Sequence, residues 1–239
     1  MTPERLETIK TALRRRQPDL TVVMENVRKP HNLAAVGRTL EAVGGLQIHA
    51  ITSLKTLRLT QMAAGGIRRW LKVVKHASTE QGIAHLKQQG FQVVATSLCE
   101  TSKDFREVDY TKPTAILVGE ELEGISEQAI ALADEHVNIP MMGFVQSLNV
   151  SVASALVLYE AQRQRSATAM YDQRSLDDES YQTLLFEACQ PKVAHYCREK
   201  KLPYPALDEN GEVVEAIADS TTFTEDSFSD WMRKNESAQ

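Results

Sequence analysis

Residues 137–153 read VNIPMMGFVQSLNVSVA, in which an apolar strand end runs through a Pro-Gly loop into the start of a helix. This helix start contains three N-cap candidates, Ser147, Asn149 and Ser151, which is more than one helix needs. Small residues such as Ala153 let a backbone or a ligand approach closely. Each feature alone is typical of a tightly packed helix start, but the whole string indicates a functional loop at a strand end.

Apolar runs of strand length alternate with helical patterns around this stretch. Helical patterns cover roughly residues 32–43, 79–88 and 126–134, and a longer helix is predicted at 149–165. Such alternation predicts an α/β fold, with a parallel sheet covered by helices on both faces. The predicted strands are 20–24, 46–51, 71–74, 91–96, 115–118 and 137–139.

Three segments of different character follow one another along the chain. Residues 1–19 form an N-terminal extension with an amphipathic helix, and residues 20–166 hold the predicted sheet. Residues 167–239 form a C-terminal extension, with one or two helices at 177–200. Its acidic tail from Asp208 has few aliphatic residues, a composition that permits partial disorder.

Composition excludes several classes of protein. No apolar run approaches the ~18 residues of a membrane span, and the N-terminus lacks the apolar core of a signal peptide. The three cysteines, Cys99, Cys189 and Cys197, are irregularly spaced, and the six histidines do not cluster as metal ligands. We therefore expect no disulfide framework, no metal site and no membrane segment, and a cytoplasmic location.

The charge of the chain is unevenly distributed. The net charge is −5, but residues 207–239 carry nine acidic and two basic residues. Two basic clusters lie in the remainder, one at Arg14, Arg15 and Arg16, and one in residues 55–75 that includes Arg68 and Arg69. Such clusters can bind a polyanion such as RNA despite an acidic total, although a solvated helix face explains either cluster equally well.

A second chemistry-bearing stretch, residues 25–39, follows the first predicted strand and opens a helix. Asn32 is a plausible N-cap, and Arg38 lies six residues further on. An arginine there can reach a phosphate at the strand ends. From spacing alone, a surface arginine paired with Glu41 or Glu25 is the favoured interpretation.

The third such stretch, GEELEG at residues 119–124, directly follows a predicted strand. Gly119 permits a sharp turn. The loop is not a phosphate-binding P-loop, because no Lys-Ser or Lys-Thr pair follows, and its three carboxylates would repel phosphate. A ligand with a cationic part, or a sugar, suits it better. No Gly-x-Gly-x-x-Gly or Gly-x-Ser-x-Gly motif is present.

Together, the three stretches resemble the three motifs of the SpoU (TrmH) branch of the SPOUT RNA methyltransferases, with similarity over about residues 18–166. Residues 14–20, 104–113, 159–165 and 202–205 look like the tRNA (guanosine-18-2′-O)-methyltransferase subgroup. The resemblance implies a deep trefoil knot, with the chain threaded through itself near residues 119–150. Ordinary topology rules would not have proposed this. It also implies S-adenosylmethionine as cofactor and a homodimer.

The site residues implied by the resemblance fall into two groups. The catalytic positions map to Arg38, Asn32, Glu121, Ser147 and Asn149, and the cofactor positions map to Thr96, Gly119, Ile139 and Leu148. A guanidinium stays protonated at neutral pH, so Arg38 is a poor base and is better suited to hold the target phosphate.

The resemblance predicts methylation of the ribose 2′-hydroxyl of guanosine 18 in the D-loop of tRNA. Two alternatives stay open: a ribosomal RNA ribose 2′-O-methyltransferase and a knotted RNA-binding protein without activity. The intact mapped positions argue against the second. An expected dimer face contains Phe144, Val145, Leu148, Val152 and Leu156, more apolar surface than one edge of a small domain readily covers.

Overall fold

The computed structural model describes residues 1–27, 29–52, 70–120, 123–214 and 224–236, with residues 234–236 described by their backbone alone. These residues form two compact units. One unit is Arg16–Ser175, and the other combines Met1–Arg15 with Leu176–Gln239. The helices are α1 (Pro3–Arg14), α2 (Pro30–Ala42), α3 (Thr79–Gln88), α4 (Glu127–Leu132), α5 (Val150–Ala167), α6 (Asp178–Cys189), α7 (Pro191–Lys200) and α8 (Glu225–Glu236).

The larger unit is built on a sheet that has seven strands within the described residues. Every strand pair is parallel, and the order across the sheet is β3-β2-β1-β6-β4-β7-β5. This confirms the predicted parallel sheet. The strands are β1 (Leu20–Glu25), β2 (Gln47–Ile51), β3 (Lys72–His76), β4 (Gln92–Thr96), β5 (Lys103–Asp104), β6 (Thr114–Val118) and β7 (Glu135–Asn138).

Helices cover both faces of this sheet. Successive strand residues point to opposite faces, so Val22 and Val23 of β1 belong to different apolar clusters. The cluster around Val22 includes residues of α2 and α5, whereas the cluster around Val23 includes residues of α3 and α4. Both faces of the central strands are therefore buried, which explains their nearly continuous apolar sequence.

The smaller unit packs α1 against α6 and α7 against α8. The Thr2 hydroxyl caps α1, whose Leu6 and Leu13 are buried. In the acidic tail, α8 contacts Tyr196 of α7 through the rings of Phe228 and Trp231. The sequence patterns did not predict this helix; residues 215–223 and 237–239 of the tail lie outside the described residues.

None of the helices in the described part of the chain is both long and apolar enough to cross a membrane.

Candidate active site

The loops that follow β4, β6 and β7 line a partly open cavity of about 340 Å³. These loops leave the carboxyl ends of neighbouring parallel strands, which is where open α/β sheets bind ligands. The volume lies within the range of small-molecule sites.

All four residues mapped to the cofactor line this cavity: Thr96 at the end of β4, Gly119 after β6, Ile139 after β7, and Leu148 before α5. Ser147, which was mapped to catalysis, lines it as well. The structure therefore brings together residues from three separate stretches of the sequence.

Gly119 is required by the close approach of two backbone segments. A Cβ atom at this position would collide with the carbonyl group of Gly124. Gly124 itself has a φ of 70°, in the left-handed region that favours glycine. The two glycines thus allow a narrow turn to form one wall of the cavity.

The chemistry of the walls suits S-adenosylmethionine. The cavity lining combines aliphatic side chains such as Leu98, Ile125 and Ile139 with the carboxyl-bearing Glu120 and Glu123, and no lysine or arginine is among the described lining residues. Aliphatic walls fit an adenine ring, and carboxylates attract the positive charge of a sulfonium or an amine. No group of three or more His, Cys, Asp or Glu side chains in the described ranges is arranged to hold a metal ion.

A hydrogen bond between two amides joins the first and third motifs. Asn149 caps α5, accepting a hydrogen bond on its Oδ1 from the Ser151 backbone N–H at 2.8 Å, and its Nδ2 donates to Asn32 Oδ1 at 3.3 Å. Asn32 is not the N-cap of α2, as the sequence suggested, because this helix begins two residues earlier, at Pro30. Its buried side chain is instead directed to Asn149.

Arg38 lies in the third turn of α2, is exposed, and does not line the cavity. The surface ion pair favoured by its spacing is absent from the structure: Glu41 pairs with Arg16, and the Glu25 carboxyl accepts hydrogen bonds from Thr79 and Ser126. Within the described residues, Arg38 makes no hydrogen bond or ion pair. Because Arg38 is exposed, a ligand in solution can reach its side chain.

The basic residues of the first cluster are placed differently. Arg14 and Arg15 are exposed at the end of α1. Arg16 is buried, and its guanidinium donates to the Gly45 carbonyl at 3.2 Å and to the Glu41 carboxyl at 3.1 Å. The prediction that Arg16 contacts RNA is therefore corrected, because this side chain is already engaged inside the protein. Glu121, Arg68 and Arg69 lie outside the described residues.

Two residues that line the cavity, Ser97 and Leu98, lie outside the stretches that the sequence singled out. Cys99 lies two residues beyond Ser97, with its thiol close to the hydroxyls of Thr101 and Ser102, at 3.2 Å each. Hydrogen bonds from Ser102 and Thr101 lower the pKa of Cys99 to about 6. Residues 97–102 directly follow the end of β4, and this position after a strand end was the signal that could have indicated them.

Comparisons with known proteins agree with this geometry. The SpoU rRNA Methylase family matches residues 19–159, and the SpoU rRNA methylase C-terminal family matches residues 163–216. A tRNA (guanosine(18)-2′-O)-methyltransferase of Escherichia coli (strain K12) is 50% identical over 221 residues, which is 92% of this chain and 96% of the relative.

Two solved structures share the fold. The TrmH/SpoU tRNA modifying enzyme of A. aeolicus aligns with a TM-score of 0.71 and 40% identity, covering 80% of this chain and 97% of that one. An AdoMet-bound rRNA methyltransferase of Sinorhizobium meliloti aligns with a TM-score of 0.55 and 30% identity, covering 64% of this chain and 59% of that one. Because the family match spans more than half of its length, the chain belongs to the SpoU rRNA methylase family.

Proposed function

We propose that this protein transfers a methyl group from S-adenosylmethionine to the ribose 2′-hydroxyl of guanosine 18 in the D-loop of tRNA. The observation that carries the proposal is the meeting of Thr96, Gly119, Ile139 and Leu148 at one cavity. The tRNA target is supported by the name of the Escherichia coli relative, which aligns over 96% of its own length. Substrate and enzyme would meet in the cytoplasm.

The cavity residues would hold the cofactor, which supplies an electrophilic methyl group when bound. Gly119 and Gly124, whose backbones approach each other closely, would let the ligand come near the backbone, and the aliphatic lining would pack against its apolar part. Glu120 and Glu123 provide negative potential that complements a sulfonium. Binding and orientation are thus supplied by the chain, and no metal is needed for a donor that is already activated.

Arg38 would act on the RNA rather than on the cofactor. Its guanidinium would hold the phosphate of the target nucleotide through two parallel hydrogen bonds and so place the ribose hydroxyl for attack. A phosphate oxygen held in this way can accept the hydroxyl proton. Asn32, Ser147 and Asn149, together with Glu121, would shape the surroundings of the reacting groups.

We also propose that the chain forms a deep trefoil knot near residues 119–150. The family resemblance supports this threading. It is consistent with the walls of one cavity being supplied by the loop after β6 and by residues 139–153. The N-terminal extension, residues 1–19, is proposed to contact tRNA.

A homodimer is proposed from an exposed apolar surface. Met142 and Phe144 are fully exposed, at 95% and 108% of their reference areas, and Val145 is exposed next to them in the sequence, as are Val152 and Leu156 on α5. Large exposed apolar side chains that form one surface on a folded chain are typical of an interface. A second copy of this chain is the proposed partner, and the active site would be completed across that interface.

The dimer is tested by Leu156→Glu. We expect this variant to lose dimer and activity together, because burial of an unpaired carboxylate at the interface costs several kcal/mol. Light scattering at low micromolar concentration measures the assembly, and Ala84→Glu on the exposed face of α3 is the matched control. A wild-type protein that is monomeric and fully active would contradict the dimer.

The proposed binding of RNA by α1 is tested by Arg14→Gln and Arg15→Gln. We expect both variants to weaken the binding of all tRNAs alike. The slope of log K for tRNA binding against log salt concentration should become shallower by about 0.7–0.9 for each phosphate that the variant no longer binds. Cofactor affinity should not change. Lys112→Gln, which removes an exposed charge in the sheet unit, is the control. Unchanged salt slopes in the arginine variants would identify α1 as a solvated face.

The reaction itself is tested by methyl transfer from radiolabelled cofactor to tRNA and to ribosomal RNA, followed by nucleoside mapping. We expect label in 2′-O-methylguanosine at position 18 and none in tRNA with deoxyguanosine there. Radiolabel found only in ribosomal RNA would show that ribosomal RNA, and not tRNA, is the substrate. RNA binding without any transfer would identify a non-catalytic RNA-binding protein.

A further inference from the structure

Glu25, the last residue of β1, is a buried acid whose carboxyl group joins two helices to the sheet. Its side chain is almost inaccessible, with 2% exposure. Oε1 accepts hydrogen bonds from the hydroxyls of Thr79 at 2.5 Å and Ser126 at 2.8 Å, and Oε2 accepts one from the Ser126 backbone N–H at 2.8 Å. The donors lie 54 and 101 residues further along the chain, so this contact is entirely tertiary.

Ser126 links the Glu25 carboxyl to the wall of the cavity. Its hydroxyl caps α4 by accepting from the Ala129 N–H at 3.1 Å while it donates to Glu25. The residues directly before it, Glu123, Gly124 and Ile125, line the cavity, whereas neither Ser126 nor Glu25 does. The position of Ser126 therefore sets where this wall of the cavity ends.

The wall tolerates little displacement. Gly119 and Gly124 approach so closely that no Cβ fits at Gly119, and the Gly124 N–H donates to the Glu120 carbonyl at 3.0 Å. The entry of the loop is held by the backbone pairing of β6. Its exit is held by the Glu25 carboxyl and by the buried Ile125. Loss of the carboxyl would loosen one end of the wall while Ile125 keeps the local fold.

We propose that Glu25 is a positioning residue of the methyl-transfer site, which fixes the exit of the loop after β6 and keeps the cavity wall in its ligand-binding shape. Glu25 touches neither cofactor nor RNA and acts through Ser126. The identity of the ligand rests on the proposed function, whereas the restraint on the loop does not.

Two substitutions of Glu25 test whether its hydrogen bonds to the loop, rather than the bulk of its side chain, maintain cofactor binding. Glu25→Ala should raise the dissociation constant of S-adenosylmethionine, measured by calorimetry, about tenfold, the equivalent of about 1.4 kcal/mol. The turnover number at saturating cofactor should stay within about threefold of wild type, so the effect appears mainly in KM. Glu25→Gln should restore most of the affinity, because its amide oxygen can accept from Ser126 and its amide N–H can donate to a hydroxyl.

Asp19→Ala provides the matched control at the opposite end of the same strand. Asp19 precedes β1 and pairs with Arg165, so its loss should lower stability without changing the cavity. In the cofactor-free protein, amide hydrogen exchange of peptides covering residues 119–126 should accelerate in Glu25→Ala and stay at the wild-type rate in Asp19→Ala.

Each outcome decides the proposal. Wild-type cofactor affinity in Glu25→Ala, equal weakening in Asp19→Ala, or unchanged exchange in residues 119–126 would overturn it. If the wild-type protein binds no S-adenosylmethionine, the proposed function fails, and the exchange rates alone then decide whether Glu25 holds the loop.

Discussion

Arg38→Ala is expected to lower the single-turnover rate of methyl transfer to tRNA by about 100-fold or more, the usual effect of removing a group that stabilises a transition state. The guanidinium is exposed, unpaired within the described residues, and carried by the same helix as Asn32, whose amide oxygen accepts from Asn149, the residue next to the cavity-lining Leu148. Because Arg38 does not line the cavity, S-adenosylmethionine should still bind within about threefold of wild type, as expected for an interaction absent from the cofactor complex.

Two further variants sharpen this test. Arg38→Lys keeps the charge but loses the bidentate fork and should also be slow. Lys87→Ala removes an exposed charge from α3, outside the cavity lining, and should react at the wild-type rate. Near-normal rates in both Arg38 variants would refute the catalytic assignment.

The sheet was predictable because its strands are short apolar runs bounded by turns. All six predicted strands are confirmed as β1–β4, β6 and β7, with ends that differ by at most two residues. Two elements were missed: β5, which has two residues and so no periodicity, and α8, whose few apolar residues lie in an acidic tail. Both depend on tertiary contacts that local patterns do not contain.

The candidate site was predictable only in part. The family resemblance mapped the cofactor to Thr96, Gly119, Ile139 and Leu148, and the structure places all four around one cavity. Spacing could not indicate the bond between Asn32 and Asn149, which are 117 residues apart. Nor could it show that three consecutive arginines, 14–16, divide into two exposed residues and one buried one.

The buried position of Arg165 could not be predicted from the sequence either. Substitution of this residue has the largest effect on stability that we expect. The sequence places it in the polar end of a long helix, yet its side chain is fully buried. Its Nε donates to the Tyr110 carbonyl at 2.9 Å. One terminal nitrogen, Nη1, donates to Gln17 Oε1 at 2.9 Å and to Asp19 Oδ1 at 2.5 Å. The other, Nη2, donates to the Asp19 carbonyl at 3.2 Å and to the Lys112 carbonyl at 3.0 Å. All five guanidinium N–H donors are therefore used.

We expect Arg165→Met to lower the free energy of unfolding by about 3–5 kcal/mol, because it removes the guanidinium donor from the Asp19 carboxylate, from Gln17 Oε1 and from the Tyr110 carbonyl. The Asp19 and Lys112 carbonyls lose one donor each but keep their hydrogen bonds from Thr114. Lysine cannot replace the planar fork, so Arg165→Lys should recover only a small part of this loss. Arg163→Met is the matched control on the same helix. Its guanidinium is largely exposed and pairs with Glu160, so the loss should stay below about 0.5–1 kcal/mol. Urea unfolding followed by circular dichroism measures both. Equal stability of the two methionine variants would show that the buried network contributes no more than a surface ion pair.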